Sequence, residues 1–225
     1  DPDPNLVRAV LAIAANVPEE AERCLAPITD HPVIEACGYG LVDVEHALES
    51  ADRRVTLIAQ GAIQIDHFVI YEVPIPPEFI DAQGVKLITV GLAFDPPVRR
   101  RRQEYLGVHM NFDVFRGKSL AEVTDAYRKV EPNEEPDPAI QGSCRLSFDP
   151  SSSMRKKSTL QRGAFGFQRC RRDYGDTYYL VVRAERKWAP AEIETQDYAV
   201  AVTLQADEPQ LYNLVEARIR QRLRA

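Results

Sequence analysis

The sequence predicts a mainly β chain: an antiparallel β-sandwich of jelly-roll type, with a short helical segment before it and one helix after it. Three observations carry this. From Arg53 to about Ala206, β-branched and aromatic runs recur, separated by Pro, Gly and Asp. Before them, residues 5 to 16 place Leu6, Val7, Val10, Leu11, Ile13 and Ala14 at helical spacing. After them, Leu211, Leu214, Val215, Ile219 and Leu223 fall mainly on one side of a second helix. The expected organisation is residues 1–52 as the helical part, 53–207 as the sandwich and 208–225 as the closing helix.

Pro4 belongs in a first helical turn, where its missing N–H costs little. Pro18 marks the stop of that helix and opens a shorter one through Leu25. Residues 27–32 read as a loop. Gly38-Tyr39-Gly40 reads as a tight turn, and Asp43 as the cap of a short helix holding Val44, Ala47 and Leu48.

At least seven strands then follow. They are centred on Val55–Ala59, His67–Val73, Val85–Phe94, His109–Phe115, Ala164–Phe167, Thr177–Ala184 and Tyr198–Leu204. The fourth alternates clearly, with Met110, Phe112 and Val114 on one face. Such strands pack as two sheets around one core. The expected core members are Phe68, Ile70, Leu87, Val90, Leu92, Phe112, Val114, Phe165, Leu180, Val182, Val200 and Val202. Leu120, Val123, Ala126 and Tyr127 have helical spacing. Residues 131–138 are acidic and proline-rich and read as exposed chain; residues 142–159 read as a polar, basic loop. Arg218, Arg220, Arg222 and Arg224 suit the C-terminal end of the last helix.

The net charge of −6 gives no generic affinity for nucleic acid, and no apolar run approaches a membrane span. Cys24, Cys37, Cys144 and Cys170 lack metal-ligand spacing and read as buried free thiols in a reducing compartment. His31, His46, His67 and His109 are scattered. Asp66-His67 on a strand would point to opposite faces, and Asp95 lacks the acidic neighbours a calcium site needs. No cofactor and no metal site is expected.

Pro4-Asn5-Leu6-Val7-Arg8-Ala9-Val10-Leu11-Ala12-Ile13-Ala14-Ala15 is similar to the helix "P-x-x-V-[KR]-x-x-L-x-x-x-A" that follows the nucleophile in subtilisin-like serine peptidases. Gly38-Tyr39-Gly40-Leu41-Val42-Asp43-Val44-Glu45-His46-Ala47-Leu48 resembles the "G-x-G-[LR]-[VP]-D-[AV]-x-x-A-L" segment that closes their catalytic domain. Ile88–Pro97 resembles the strand "V-x-[LV]-x-[WAF]-x-D-P-P" of the sandwich that often follows, and Tyr179–Ala184 resembles a "Y-x-L-x-V-x-A" strand near its end. The pattern is closest to bacterial intracellular-type subtilases with a long C-terminal β-domain.

The resemblance implies a C-terminal accessory region of a serine endopeptidase, in a cytoplasmic setting. Its implied partners are the catalytic domain of the parent peptidase and that enzyme's protein or peptide substrate. The signatures D-[ST]-G, H-G-T-H and G-T-S-x-[AS] do not occur, so no catalytic residue carries over and no peptidase activity is expected of this chain. A stand-alone β-sandwich binding module is the alternative. Without the rest of a catalytic domain, the apolar helical residues need the sandwich, the last helix or a second copy of the chain, and a homodimer is the expected form. Arg99, Arg100, Arg101 and Arg102, with Arg155, Lys156 and Lys157, are the candidate patch for an anionic partner: an acidic peptide, a nucleic acid or an acidic face of the peptidase. Trp188, with Tyr178, Tyr179 and Tyr198, is a candidate carbohydrate or peptide groove.

Overall fold

The computed structural model describes residues 3–25, 32–48, 53–101, 103–128, 142–169, 172–207 and 210–222. The sandwich is a long hairpin rolled on itself. Its strands are β3 (Arg54–Gln64), β4 (Phe68–Pro74), β5 (Lys86–Phe94), β6 (Val108–Phe115), β7 (Leu160–Phe167), β8 (Thr177–Arg186) and β9 (Thr195–Gln205). The first pairs with the last, the second with the second last and the third with the third last, all antiparallel. Pairing of β5 with β9 and of β6 with β8 closes two sheets, β3-β9-β5-β7 and β4-β8-β6. Each connection between consecutive strands crosses from one sheet to the other, as in a jelly roll.

Alternation sends Val90, Leu92, Phe112, Val114, Leu180, Val182, Val200 and Val202 into the core between the sheets, as expected. Four expected core members differ. Leu87 points to the opposite face from its buried neighbours Ile88 and Lys86 and is half-buried. Phe165 packs against the core from its rim. Phe68 and Ile70 lie on the outer face of the three-stranded sheet, because β4 turns Val69, Tyr71 and Val73 inward. A strand that is apolar on both faces does not reveal its parity, and a one-residue choice flips every side chain.

That second apolar face exists because helices cover both sheets from outside. On the three-stranded sheet lies α6, Leu120–Arg128, whose Val123, Ala126 and Tyr127 pack with Phe115 and Val181. A reciprocal cap starts α6: Ser119 Oγ accepts the Glu122 N–H (3.2 Å), and the Glu122 carboxylate accepts the Ser119 N–H (2.8 Å). The four-stranded sheet carries α1, Pro4–Ala14, capped by the Asp3 carboxylate on the Asn5 N–H at 2.7 Å. Ala9 lies against Ala93 and Ala201. A Cβ on Gly91 would stand 2.6 Å from the Ala9 carbonyl oxygen and 2.7 Å from Ile13 Cγ2, so only glycine admits the helix at this distance. The last helix, Leu211–Arg222, seals one end of the core with Leu211 and Val215.

The rest of the helical part is lightly built. The two-residue strands β1 (Ala15–Asn16) and β2 (Leu41–Val42) pair with each other and with no other strand among the described residues. Between them lie α2 (Glu19–Leu25) and α3 (Pro32–Cys37); α4 (Val44–Leu48) follows β2. The predicted loop at 27–32 falls mostly outside the described residues, and Pro32 opens α3 instead. Gly40, at φ +90°, faces the Asn16 carbonyl so closely that a Cβ would overlap it. Cys24 and Cys37 are free and exposed rather than buried, because α2 and α3 sit outside the core; Cys144 is half-buried. The acidic stretch 131–138 and Cys170 lie outside the described residues. None of the described helices is long and apolar enough to cross a membrane.

Candidate interaction surfaces

Two surfaces of opposite character stand out, and a separate buried charge cluster lies under α6. The first surface is the outer side of the N-terminal segment. Along α1 the alanines and Asn5 are buried, Val10 and Ile13 pack half-buried beside Ala9, Leu6 is half-buried, and Val7 and Leu11 are exposed. Leu41 (71% exposed) and Val42 on β2, with Val44 (62%) on α4, extend the exposed apolar set. Polar contacts nevertheless fix this segment on the sandwich. The Arg8 guanidinium donates to the Phe94 carbonyl (3.4 Å) and to Thr159 Oγ1 (3.1 Å). The Tyr39 hydroxyl donates to the Leu160 carbonyl and accepts the Arg162 N–H, both at 3.0 Å; burial raises its pKa. A cavity of about 280 Å³ remains beside Tyr39, lined by Val17, Ile34, Met154 and Arg162.

The second surface is the loop between β5 and β6. Asp95-Pro96-Pro97 ends β5, and an antiparallel bridge between Val98 and Leu106 turns the loop into a hairpin. The Arg99 N–H donates to the Tyr105 carbonyl (3.0 Å), and the Gly107 N–H to the Pro97 carbonyl (2.7 Å). Arg99, Arg100 and Arg101 are all exposed; Arg102 lies outside the described residues. The Arg99 guanidinium sits 4.5 Å from the Trp188 ring centre, and the Trp188 indole N–H donates to the Glu104 carbonyl at 2.8 Å.

The structure does not gather the predicted patch whole. Pairing of Ala93 with Leu160 sends the loop after β5 and the loop before β7 off the same end of the four-stranded sheet. Arg155, however, is buried, at 3% exposure: it donates to the carbonyls of Pro150 (2.6 Å) and Phe112 (3.2 Å) and stacks over the Phe112 ring. Burial lowers its pKa to about 10. It serves the interior and is withdrawn from any surface partner. Lys157 is exposed and Lys156 half-buried.

The proposed aromatic groove also separates. Tyr178 and Tyr198 are core residues, Tyr179 packs on the outer α6 side, and Trp188 belongs to the arginine hairpin. Asp66 is a turn residue at φ +66° that accepts the Arg186 N–H (2.8 Å), while His67 Nδ1 lies 3.1 Å from the Ile65 carbonyl, so they form no acid–base pair. His109 Nε2 contacts Glu104 at 2.7 Å. His31 and the side chain of His46 lie outside the described set. Among the described residues no three His, Cys, Asp or Glu side chains cluster as metal ligands.

The buried cluster escapes sequence reading. Asp113, on the outer face of β6, accepts from the Arg145 guanidinium (3.0 and 2.8 Å) and from the Tyr127 hydroxyl (2.9 Å). Burial raises the Asp113 pKa, against the pull of Arg145 and Tyr127. Alternation along β6 marks Asp113 as facing away from the core, but only α6 and residues 142–148, remote in sequence, bury it. Asp113 and Arg145 thus form a buried ion pair, and Ser147, Ser151 and Ser152 line the cavity beside it.

Comparison with known proteins adds the following. No protein-family model matches the chain. It is 41% identical over 222 residues to "Uncharacterized protein y4bN" of Sinorhizobium fredii (strain NBRC 101917 / NGR234). The match takes in 98% of the chain and 50% of the relative, so the chain spans about half the length of this curated relative. Among solved structures, the Aeromonas hydrophila PliG, a periplasmic inhibitor of g-type lysozyme, is 13% identical with a TM-score of 0.30, over 70% of the chain and 93% of the inhibitor. The VP2 subviral particle of infectious bursal disease virus is 9% identical with a TM-score of 0.35, over 74% of the chain and 36% of VP2. Likenesses this low carry no functional argument.

Proposed function

We propose that this chain is the C-terminal accessory region of a subtilisin-like serine endopeptidase, non-catalytic by itself, which braces the catalytic domain and presents surfaces to substrates or partners. The observation that carries this reading is the set of exposed apolar side chains Val7 and Leu11 of α1, Leu41 and Val42 of β2 and Val44 of α4. It falls on the two segments whose residues resemble the end of a subtilase catalytic domain. In such an enzyme the remaining catalytic domain would cover these side chains. Each large apolar side chain removed from water contributes about 1.5–3 kcal/mol when fully buried.

A specific observation favours a second reading, in which the chain is a stand-alone β-sandwich binding module. Ala9 is fully buried on the four-stranded sheet at Gly91, so α1 is part of the sandwich body whatever else it touches.

One experiment separates the two. The reading frame upstream of Asp1 is sequenced, and the complete gene product and residues 1–225 are each incubated with a serine-directed fluorophosphonate probe and casein. The peptidase reading predicts the signatures D-[ST]-G, H-G-T-H and G-T-S upstream, labelling and casein turnover by the complete product, and neither by residues 1–225. An upstream frame without those signatures, or labelling of a serine within residues 1–225, overturns it.

A further inference from the structure

We infer that the arginine hairpin of residues 97–107 is a docking surface for an acidic protein segment, with Arg99, Arg100 and Arg101 as its contact residues. Charge distribution comes first. Residues 95–107 hold four arginines against Asp95 and Glu104, a net of +2 in a chain of −6, which leaves −8 on the rest. Glu104 is engaged with His109 at 2.7 Å. Among the described residues, none of Arg99, Arg100 and Arg101 has an ion-pair partner. Surface arginines commonly pair with local carboxylates; three in succession without one leave a local field that attracts an anion.

The hairpin is also held in place, so the arginines are displayed rather than dangling. The Gly107 carbonyl accepts the N–H groups of Lys187 (2.9 Å) and Ala189 (3.1 Å), and Trp188 between them bonds the Glu104 carbonyl. Trp188 supports the Arg99 guanidinium by its ring. Exposed Tyr105 and Val98 flank the charges and offer apolar contact beside them. A planar guanidinium row with an aromatic neighbour suits the forked carboxylates of Asp and Glu.

A nucleic acid fits worse. Its charge continues past the hairpin, whose reach at physiological salt is about 8 Å, toward a chain whose remaining residues sum to −8. One face of the Trp188 ring is already covered by Arg99, which limits base stacking. A short acidic segment of a protein matches Arg99, Arg100 and Arg101 and need not extend beyond them. The inference stands on the hairpin alone and does not depend on the peptidase reading.

Trp188 is the single tryptophan of the chain, so the site carries its own reporter. Residues 1–225 are titrated with a fluorescently labelled peptide of about twelve Asp and Glu residues, following Trp188 emission and peptide anisotropy. A neutral Gln/Ser peptide and a labelled oligothymidylate of equal length run in parallel. Expected are saturable binding of the acidic peptide by both signals, loss of most of it at about 0.5 M salt, and at least tenfold weaker binding by the double variant Arg100→Glu/Arg101→Glu. The circular dichroism of that variant should be unchanged, because both side chains are exposed. The inference is overturned by no saturable binding, by equal binding of the double variant or the neutral peptide, or by tighter binding of the oligothymidylate.

Discussion

The sandwich and the N-terminal segment ahead of it are built on different terms. Between the sheets, large side chains meet large side chains: Phe112 lies edge-on to Phe148, and Leu92, Leu180 and Val200 are almost wholly inaccessible. Where α1 meets the sheet, small meets small: Ala9 rests on Ala93 and Ala201, with Gly91 beneath. The first arrangement removes much apolar area from water per residue and stabilises the fold. The second brings backbones close but spends its larger residues, Val7 and Leu11, on the outer side. Polar ties from Arg8 and Tyr39 hold the segment. The segment thus docks on the sandwich through alanines and displays leucine and valine on its other side.

Substitutions on each side break the comparison in different ways. The largest effect belongs to Phe112→Ala, which removes a ring packed between Phe148 and the Arg155 guanidinium. It should cost about 3–5 kcal/mol in urea unfolding; a loss under about 0.5 kcal/mol would remove Phe112 from the core. Next is Gly91→Val. The new side chain meets the Ala9 carbonyl and Ile13, so α1 must shift, at about 1–3 kcal/mol. Limited proteolysis should then cut within residues 4–48 and leave the sandwich whole. Unchanged resistance there means that α1 is not seated as described. Smaller still is the pair Val7→Ser/Leu11→Ser. Both residues are already exposed, so thermal unfolding of residues 1–225 should shift by less than about 0.5 kcal/mol while solubility rises. A large loss of stability would place them inside the fold.

The smallest effect is at the α6 cap. Hydrogen bonds from Ser119 and Lys118 hold the Glu122 carboxyl at about 2, below its ordinary 4.5. A carboxyl held low stabilises the fold above its ordinary value and loses that contribution as pH falls toward 2. Glu122→Gln should therefore be slightly less stable than the parent at pH 7, and the gap should close between about pH 4.5 and pH 2. A gap constant with pH would show that the carboxylate charge is not what the cap uses.

How far the sequence was legible follows the same division. The seven strands and both long helices could be read because β-branched runs and helical spacing are local signals. Phe68 and Ile70 were placed on the wrong face because β4 is apolar on both sides, and only α6 explains the outer one. The helix at Pro32–Cys37 and the pair β1–β2 are too short for periodicity to speak. Arg155 looked like part of a basic run with Lys156 and Lys157, yet Phe112, Phe148 and two backbone carbonyls draw it inside; nothing within its own stretch announces that. The cap Ser119-Leu120-Ala121-Glu122 was a signal in plain view. Arg8 and Tyr39 occupy positions of the subtilase-like motifs, and here they bond to Phe94, Thr159, Leu160 and Arg162, contacts that no local pattern predicts.

The proposed accessory role gives residues 4–48 a second neighbour beyond the sandwich. Hydrogen–deuterium exchange followed by mass spectrometry, on residues 1–225 and on the complete gene product, tests it most directly. In residues 1–225 the sandwich strands β5, β8 and β9 should exchange slowly, and amides of β2 and α4, residues 41–48, fast. In the complete product residues 4–48 should become protected, with the sandwich unchanged. Equal exchange of residues 4–48 in the two proteins would contradict the account and leave the helical segment as a finished part of a free-standing sandwich.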